Sequence, residues 1–511
     1  MANFLTDLNK ELHNGYVTTE NGARMYKSTG RALLDLNYQT SSLRNQDKSM
    51  VYSEFYKALQ ETPLEALKWL FYLRDCRGGM GERKTFINIL SSFLEEYPAF
   101  TNQFMKLIPE YGYWKDLNSL YETTTSDLVK KACVKMYAQV LQMDLCALIS
   151  KDSYSLASKY APSDTSKKLN GRIMAKEIRK ALGITRQSYR KMLKDLRDGL
   201  AIVEKDMSEN KWERINYQTV PSKASRLYSN AFQNHDSKRY NKFIGDANNG
   251  LVKMHAGQNF PYEILKAYTE GTITADVANA LWKNLPRDEY KDVLVVEDRS
   301  GSMRWATVDI SGTQASHVAD SLTLLFSEGL KGDLRNTFMT FSQNPKLWHL
   351  SGDTLTEKYE TLNKYSEVAN TDIEKVFRVL LDTAVNNHYR QEDLPKTILI
   401  LSDMEFDQAT NVYDENCDYD SSYLPALFEQ IRDEYRQAGY LLPRLIFWNI
   451  ASRTKGIPFR DNEQGINFVS GFSPQILKNV IAGSTDAWQN LCDVLNDKRY
   501  AFVEEAIKAV L

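Results

Sequence analysis

The sequence predicts two parts of different class, an all-helical part followed by an α/β part built on a parallel sheet. Three observations carry this. Through about residue 285, apolar residues recur at helical spacing between short breakers. From about 288, short apolar runs alternate with amphipathic stretches, which is the rhythm of a parallel sheet covered on both faces. The charge changes sign as well. Residues 1–290 hold 42 Lys and Arg against 33 Asp and Glu, a net of +9, whereas residues 291–511 hold 22 against 33, a net of −11. At 511 residues the chain exceeds what one core usually organises. We therefore place a helical module at 1–287 and an α/β domain at 288–511.

In the first part, "PLEALKWLFYLRDC" puts Leu64, Leu67, Leu70 and Phe71 on one stripe. "RKTFINILSSFLEEY" does the same with Phe86, Ile89, Leu90 and Phe93, and "SDLVKKACVKMYAQVLQMDL" with Val129, Cys133, Met136 and Val140. The breakers are "RGGMGE" at 77–82, "YPAF" at 97–100 and "PEYGYW" at 109–114. Helix pairs at this spacing suggest stacked helical hairpins, as in solenoid repeats.

In the second part, "DVLVVED" (292–298), "NTFMTFS" (336–342), "KTILILSDMEF" (396–406), "PRLIFWNI" (443–450) and "GINFVSGFS" (465–473) read as strands. The stretches 315–330, 372–387, 424–439 and 474–483 read as the intervening helices. Ligands of such sheets bind outside the carboxyl ends of the strands.

Composition narrows the classes. There is no apolar run of about 18 residues, so no membrane span is expected. The N-terminal stretch "MANFLTDLNKELHNG" lacks the basic and apolar regions of a secretory signal. Five scattered cysteines without a Cys-x-x-Cys pair fit reduced thiols in a cytosol, not a disulfide frame or zinc site. A cytoplasmic protein is expected.

The chemistry concentrates at "VLVVEDRSGSM". Asp298, Ser300 and Ser302 supply a carboxylate and two hydroxyls at alternate positions just past a strand. A hard divalent cation such as Mg²⁺ takes oxygen ligands of this kind. A helix-capping set without metal uses the same residues. Two further oxygens belong to the set: Thr371, just before a helix, and Asp403, just after the apolar run of another strand. In this order and on these elements, the five residues resemble the metal-ion-dependent adhesion site of the von Willebrand factor A domain. The resemblance implies a Rossmann-like domain that binds Mg²⁺ or another divalent cation through Asp298, Ser300, Ser302, Thr371 and Asp403. It also implies one coordination position left for an acidic group of a partner. Arg299, between two of these ligands, is expected to point away from the ion.

In the helical part, "GGMGER" and "YGYWKDL" match elements of the Ro autoantigen (TROVE-like) family, with Met80 where that family commonly has Lys. The glycines equally suit a tight helix–helix turn. No Gly-Lys-Ser/Thr follows them, so no P-loop is present there. The segments "KYAPSD", "YRKMLKDLRDGLAIVEKDM", "RINYQTVPSKASRLY" and "LSDMEFD" resemble a Ro-like group of phages, bacteria, fungi and plants. The resemblance covers nearly the whole chain. It implies HEAT-like helical repeats, arranged in Ro relatives as a ring that holds structured small RNA outside and loose RNA ends in its hole.

The residues that fit RNA are Lys167, Lys168, Arg172, Lys176, Arg179, Lys180, Arg186, Arg190, Lys191, Lys194 and Arg197, set against only Glu177 and Asp195. Basic faces of this kind contact phosphates without reading sequence. A solvated face would look the same. A second cluster, Lys223, Arg226, Lys238, Arg239 and Lys242, brings Tyr228, Phe232 and Tyr240 as candidate base-stackers, or as core. The expectation is a non-enzymatic scaffold for structured or misfolded RNA whose cation site serves ring closure or partner docking. The competitors are a metal-dependent protein adaptor or virion component without RNA, and a hydrolase using Asp298 and Asp403.

Overall fold

The computed structural model describes residues 15–200, 202–309, 311–340, 345–364, 372–406, 424–453, 456–459 and 465–510. It is mostly helical, with a helical N-terminal region and a six-stranded mixed sheet in the C-terminal region. Packing divides the chain into two compact units. One takes the described residues up to Gln46, Pro221–Asn230 and Asn241–Val494. The other takes Asp47–Val220, Ala231–Tyr240 and the described residues from Leu495 onward. A cut at 287/288 follows the change of texture along the chain, whereas these units follow what packs on what. The helices of 261–283 illustrate the difference. Helix Pro261–Thr269 packs on helix Ala315–Gly329, and Trp282 donates to Glu328 at 3.1 Å, so both belong with the sheet.

The sheet runs β5-β4-β3-β6-β7-β8, with β3 at Val293–Glu297, β4 at Thr337–Thr340, β5 at Lys346–His349, β6 at Thr397–Ser402, β7 at Arg444–Asn449 and β8 at Ile466–Ser470. Every pair is parallel except β4 and β5. The expectation of a parallel sheet thus holds for five strands, and β5 adds an antiparallel edge. Its "KLWH" is mostly exposed, so it lacks the apolar run that reveals a buried strand. All residues of β3, β6 and β8 are buried, which their continuous apolar runs predict. A short N-terminal hairpin, β1 at Tyr16–Thr18 and β2 at Arg24–Tyr26, belongs to the same unit and was not expected in a region that reads as helical.

The helical unit has its core in aromatic side chains. Phe71 meets Phe104 at 5.0 Å and Phe86 at 5.9 Å between ring centroids, and Phe93 meets Phe100 at 5.3 Å. Helix boundaries follow local chemistry. Pro63 opens helix Pro63–Arg74, and Ser126 and Thr185 each accept a backbone N–H as helix caps. Helix Asp127–Ser150 is long and apolar enough to cross a membrane by length and composition alone. It buries Val129, Cys133, Tyr137 and Leu141 and packs on helices Leu169–Ala181 and Thr101–Tyr111, as a core helix does.

Candidate functional site

Because β3 and β6 are parallel neighbours with Glu297 level with Leu401, their carboxyl ends leave the sheet side by side. Asp298 N–H donates to Leu401 O at 2.9 Å, the last rung before the chains part. The next residues on each chain carry the oxygens. Asp298 Oδ1 accepts Ser300 N–H at 2.9 Å, which turns the chain so that the Ser300 and Ser302 hydroxyls meet at 2.9 Å. Asp298 Oδ2 accepts the Ser402 hydroxyl at 2.6 Å. Ser402 is a residue that sequence reasoning passed over, since its role depends on the register of a strand 104 residues away.

Asp403 is fully buried. Its Oδ1 accepts Glu405 N–H at 3.2 Å, across a backbone that turns left-handed at Met404 with φ of 62°. Its Oδ2 is buried with no hydrogen-bond partner, and the Arg453 guanidinium stands 3.7 Å from it. Burial, then the negative charge of Asp298, pushes the Asp403 carboxyl up to about 7, against the lowering effect of the Ser302 hydroxyl. An orphaned carboxylate oxygen beside a second carboxylate and two hydroxyls suits a hard cation, whose charge would relieve both the burial and the repulsion. Asp298, Ser300, Ser302 and Asp403 are therefore brought together; Thr371 lies outside the described residues. Among the described residues no three His, Cys, Asp or Glu side chains gather into a metal-binding group, so this cluster rests on two carboxylates plus hydroxyls.

Arg299 turns away from these oxygens. Its Nη1 donates to Glu297 at 3.2 Å and to Asp320 of helix Ala315–Gly329 at 3.0 Å. Glu405, also fully buried, accepts the backbone N–H of Glu20 at 2.9 Å and of Arg453 at 3.0 Å. The N-terminal hairpin is thereby seated on the loop after β6, and Thr19 adds a bond to Phe406 O at 2.9 Å.

The basic segment forms helices Leu169–Ala181 and Arg186–Gly199. Lys167, Lys168, Arg172, Lys176, Lys180, Arg186, Arg190, Lys191 and Lys194 are exposed. Two of these are paired with acids, Lys168 with Glu122 at 2.8 Å and Arg186 with Asp164 at 3.6 Å. Arg179 is half-buried, and Arg197 is built into the fold, donating to Ser158 O at 2.8 Å and Ala161 O at 3.0 Å. The second cluster differs from the stacking expectation. Phe232 and Tyr240 are buried, within 5.1 to 5.4 Å of each other and of Tyr217. Arg226 pairs with Glu263 and Arg239 with Asp236.

"GGMGER" and "YGYWKDL" prove to be two halves of one buried staple. Asp116 takes Arg74 at 2.7 Å and Arg83 at 2.6 Å, and it also accepts Tyr113 N–H at 2.9 Å. Asp75 takes the Arg499 guanidinium and the Tyr500 hydroxyl. The tight turn suggested by the glycines is real. A Cβ on Gly79 would stand 2.2 Å from Tyr72 O.

Two family models and one viral protein match the chain. A family model described as Domain of unknown function (DUF2828) matches residues 19–133 and 127–295, and one described as Domain of unknown function (DUF7788) matches 292–505. The chain is 27% identical over 500 residues to "Uncharacterized protein L728" of Acanthamoeba polyphaga mimivirus, covering 91% of this chain and 84% of that protein. No solved structure matches.

Proposed function

Since the chain belongs to the DUF2828 family, whose description names no activity, we propose its function from its own surfaces: a non-enzymatic, Ro-like RNA-binding scaffold with a divalent-cation site for docking a partner. The observation that carries the RNA reading is the row of exposed cations on helices Leu169–Ala181 and Arg186–Gly199. Lysines and arginines spaced along two helices with few acids between them neutralise phosphates and release counterions, without demanding a base sequence. The C-terminal part is read as a von Willebrand factor A-like domain, with Mg²⁺ held by Asp298, Ser300, Ser302 and Asp403. The ion would supply a Lewis-acidic position that accepts one anionic oxygen from a partner. These residues would hold it: Ser402 fixes Asp298, and the Ser300 and Ser302 hydroxyls bond each other.

Filter binding of a structured small RNA tests this reading. Retention should fall steeply as salt rises, and a Lys176→Glu, Lys191→Glu, Lys194→Glu variant should lose on the order of a hundredfold at low salt. Unchanged retention would refute it.

The orphaned Asp403 oxygen favours a second reading, a metal-dependent protein adaptor that needs no RNA. A nuclease-treated pull-down that depends on Mg²⁺ and on Asp298, from a protein that retains no RNA, would select it. Hydrolysis is the weakest reading, because the buried carboxylates near the site are engaged, Glu405 by backbone N–H groups and Glu297 and Asp320 by Arg299.

A further inference from the structure

We propose that Arg453 and Glu20 form a tethered counter-ion pair that gates the open side of the cation site. The inference rests on the cation-site reading and concerns how entry to that site is controlled. Asp403 Oδ2 is buried and unsatisfied. The guanidinium of Arg453, on the loop after β7, stands 3.7 Å from it, too far for a hydrogen bond but close enough for charge to act. The same Nη2 lies 2.9 Å from a carboxylate oxygen of Glu20, at the tip of the N-terminal hairpin. One guanidinium therefore stands between an interior carboxylate and a surface carboxylate.

The two ends differ in what holds them. Arg453 is anchored through its backbone, whose N–H donates to Glu405, while its side chain is 41% exposed. Glu20 is anchored the same way, its backbone N–H on the other Glu405 oxygen and its side chain 50% exposed. Thr19 and Asn21 fasten the hairpin tip to Phe406 O and Glu405 O. The backbones are fixed, whereas both side chains are partly exposed and meet only through their charged ends.

Without a divalent ion, Arg453 is the cation that stands within ion-pair reach of the orphaned oxygen among the described residues. With the ion bound, guanidinium and cation repel, and Glu20 offers Arg453 a place outside the site at no cost in pairing. Arg453 is thus an internal competitor of the cation, and Glu20 is the residue that draws the competitor off. Neither is a ligand of the ion in this arrangement.

Mn²⁺ titration of the full chain by calorimetry, with binding constant as readout, tests the gate. Arg453→Gln should tighten Mn²⁺ binding on the order of tenfold, since one opposing charge beside the ion is gone. Arg453→Lys should stay near wild type. Glu20→Gln should weaken binding several-fold, because Arg453 then has only Asp403, and this effect should vanish in the Arg453→Gln background. Binding left unchanged or weakened by Arg453→Gln overturns the gate, and so does a Glu20→Gln effect that persists in that background. Asp403→Asn supplies the separate check. If wild type binds Mn²⁺ and Asp403→Asn does not, the site stands whatever becomes of the gate. A wild type that takes up no Mn²⁺ overturns both.

Discussion

Arg299 lies between Asp298 and Ser300 in sequence, yet its guanidinium reaches Asp320 at 3.0 Å on the far side of the loop. From the end of β3 onward alternate residues reach different partners: Asp298 and Ser300 meet Ser402 and Ser302, whereas Glu297 and Arg299 meet each other and Asp320. The result is a buried cluster of Glu297, Arg299 and Asp320 beneath the Asp298–Ser302 loop, tying it to helix Ala315–Gly329. Burial holds the Glu297 carboxyl well above the usual carboxylate range, although Arg299 lowers it. Two acids here share one cation.

Arg299→Met would leave Asp320 buried without its counter-ion and Glu297 without its guanidinium donor. Removing one partner of a buried ion pair costs about 3–5 kcal/mol. Urea denaturation should show a loss in that range, with Arg299→Lys recovering part of it because a point charge bridges two carboxylates less well than a fork. A loss below about 1 kcal/mol would mean that the cluster contributes little to holding the loop.

A second loop with oxygens at alternate positions, Asp309, Ser311 and Thr313, gives a pH prediction. Here a cation is supplied by the chain itself: Lys266 Nζ donates to Ser311 O at 2.9 Å, to Ser311 Oγ at 3.2 Å and to Thr313 Oγ1 at 3.0 Å. Burial raises the Asp309 carboxyl, but bonds from Thr313 and Ser311 and the charge of Lys266 outweigh it and hold it below its ordinary value of 3.8. A carboxyl depressed on folding stabilises the fold above its unfolded value, and that contribution is lost as pH falls through the folded value. The stability difference between wild type and Asp309→Asn should therefore be full at pH 5–6 and shrink below about pH 4. A difference that stays flat with pH would contradict it.

Gly112 closes on the Asp116 staple. A Cβ there would stand 2.2 Å from Asp116 Oδ2 and 2.9 Å from Arg74 Nε. Gly112→Ala must push Asp116 off its two arginines, so it should cost a sizeable part of the 3–5 kcal/mol that Asp116→Ala costs by stranding Arg74. In the double mutant the two losses should fall well short of additive, because they act on one network. Additive losses in thermal or urea unfolding would place the Gly112 clash elsewhere.

What could be read in advance follows the range of the interactions. "TILILS" reveals a strand with both faces covered because six apolar-rich positions in a row suit little else, and all six are buried. Asp298, Ser300, Ser302 and Asp403 were readable because each lies within a few residues of a strand end. The bond from Ser402 to Asp298 was not, because it needs the pairing of β3 with β6 to be known. The seating of Glu20 and Asn21 on Glu405 spans some 385 residues and leaves no local trace. Phe232 and Tyr240 were ambiguous for another reason. Aromatic residues at helical spacing serve a core as readily as a stacking platform, and here they pack on Tyr217. Arg197 shows the same limit for charge, since composition counts it with its neighbours whereas packing separates them.

That separation makes the last prediction. Arg197 donates from the half-buried interior to Ser158 O and Ala161 O, and its burial lowers the guanidinium's pKa from its ordinary value. Arg197→Gln strands two carbonyls, so it should cost about 1–3 kcal/mol of stability. Lys176, Lys191 and Lys194 are exposed, and neutralising any one of them should leave stability within about 0.5 kcal/mol. RNA retention should respond in the opposite order: each exposed lysine lowers the salt slope by about one phosphate contact, while Arg197→Gln leaves the slope unchanged at temperatures where it stays folded. Urea denaturation and salt-dependent filter binding on the same four variants read both. If Arg197→Gln flattens the slope while its stability is untouched, its guanidinium faces the RNA and not the turn at 158–161.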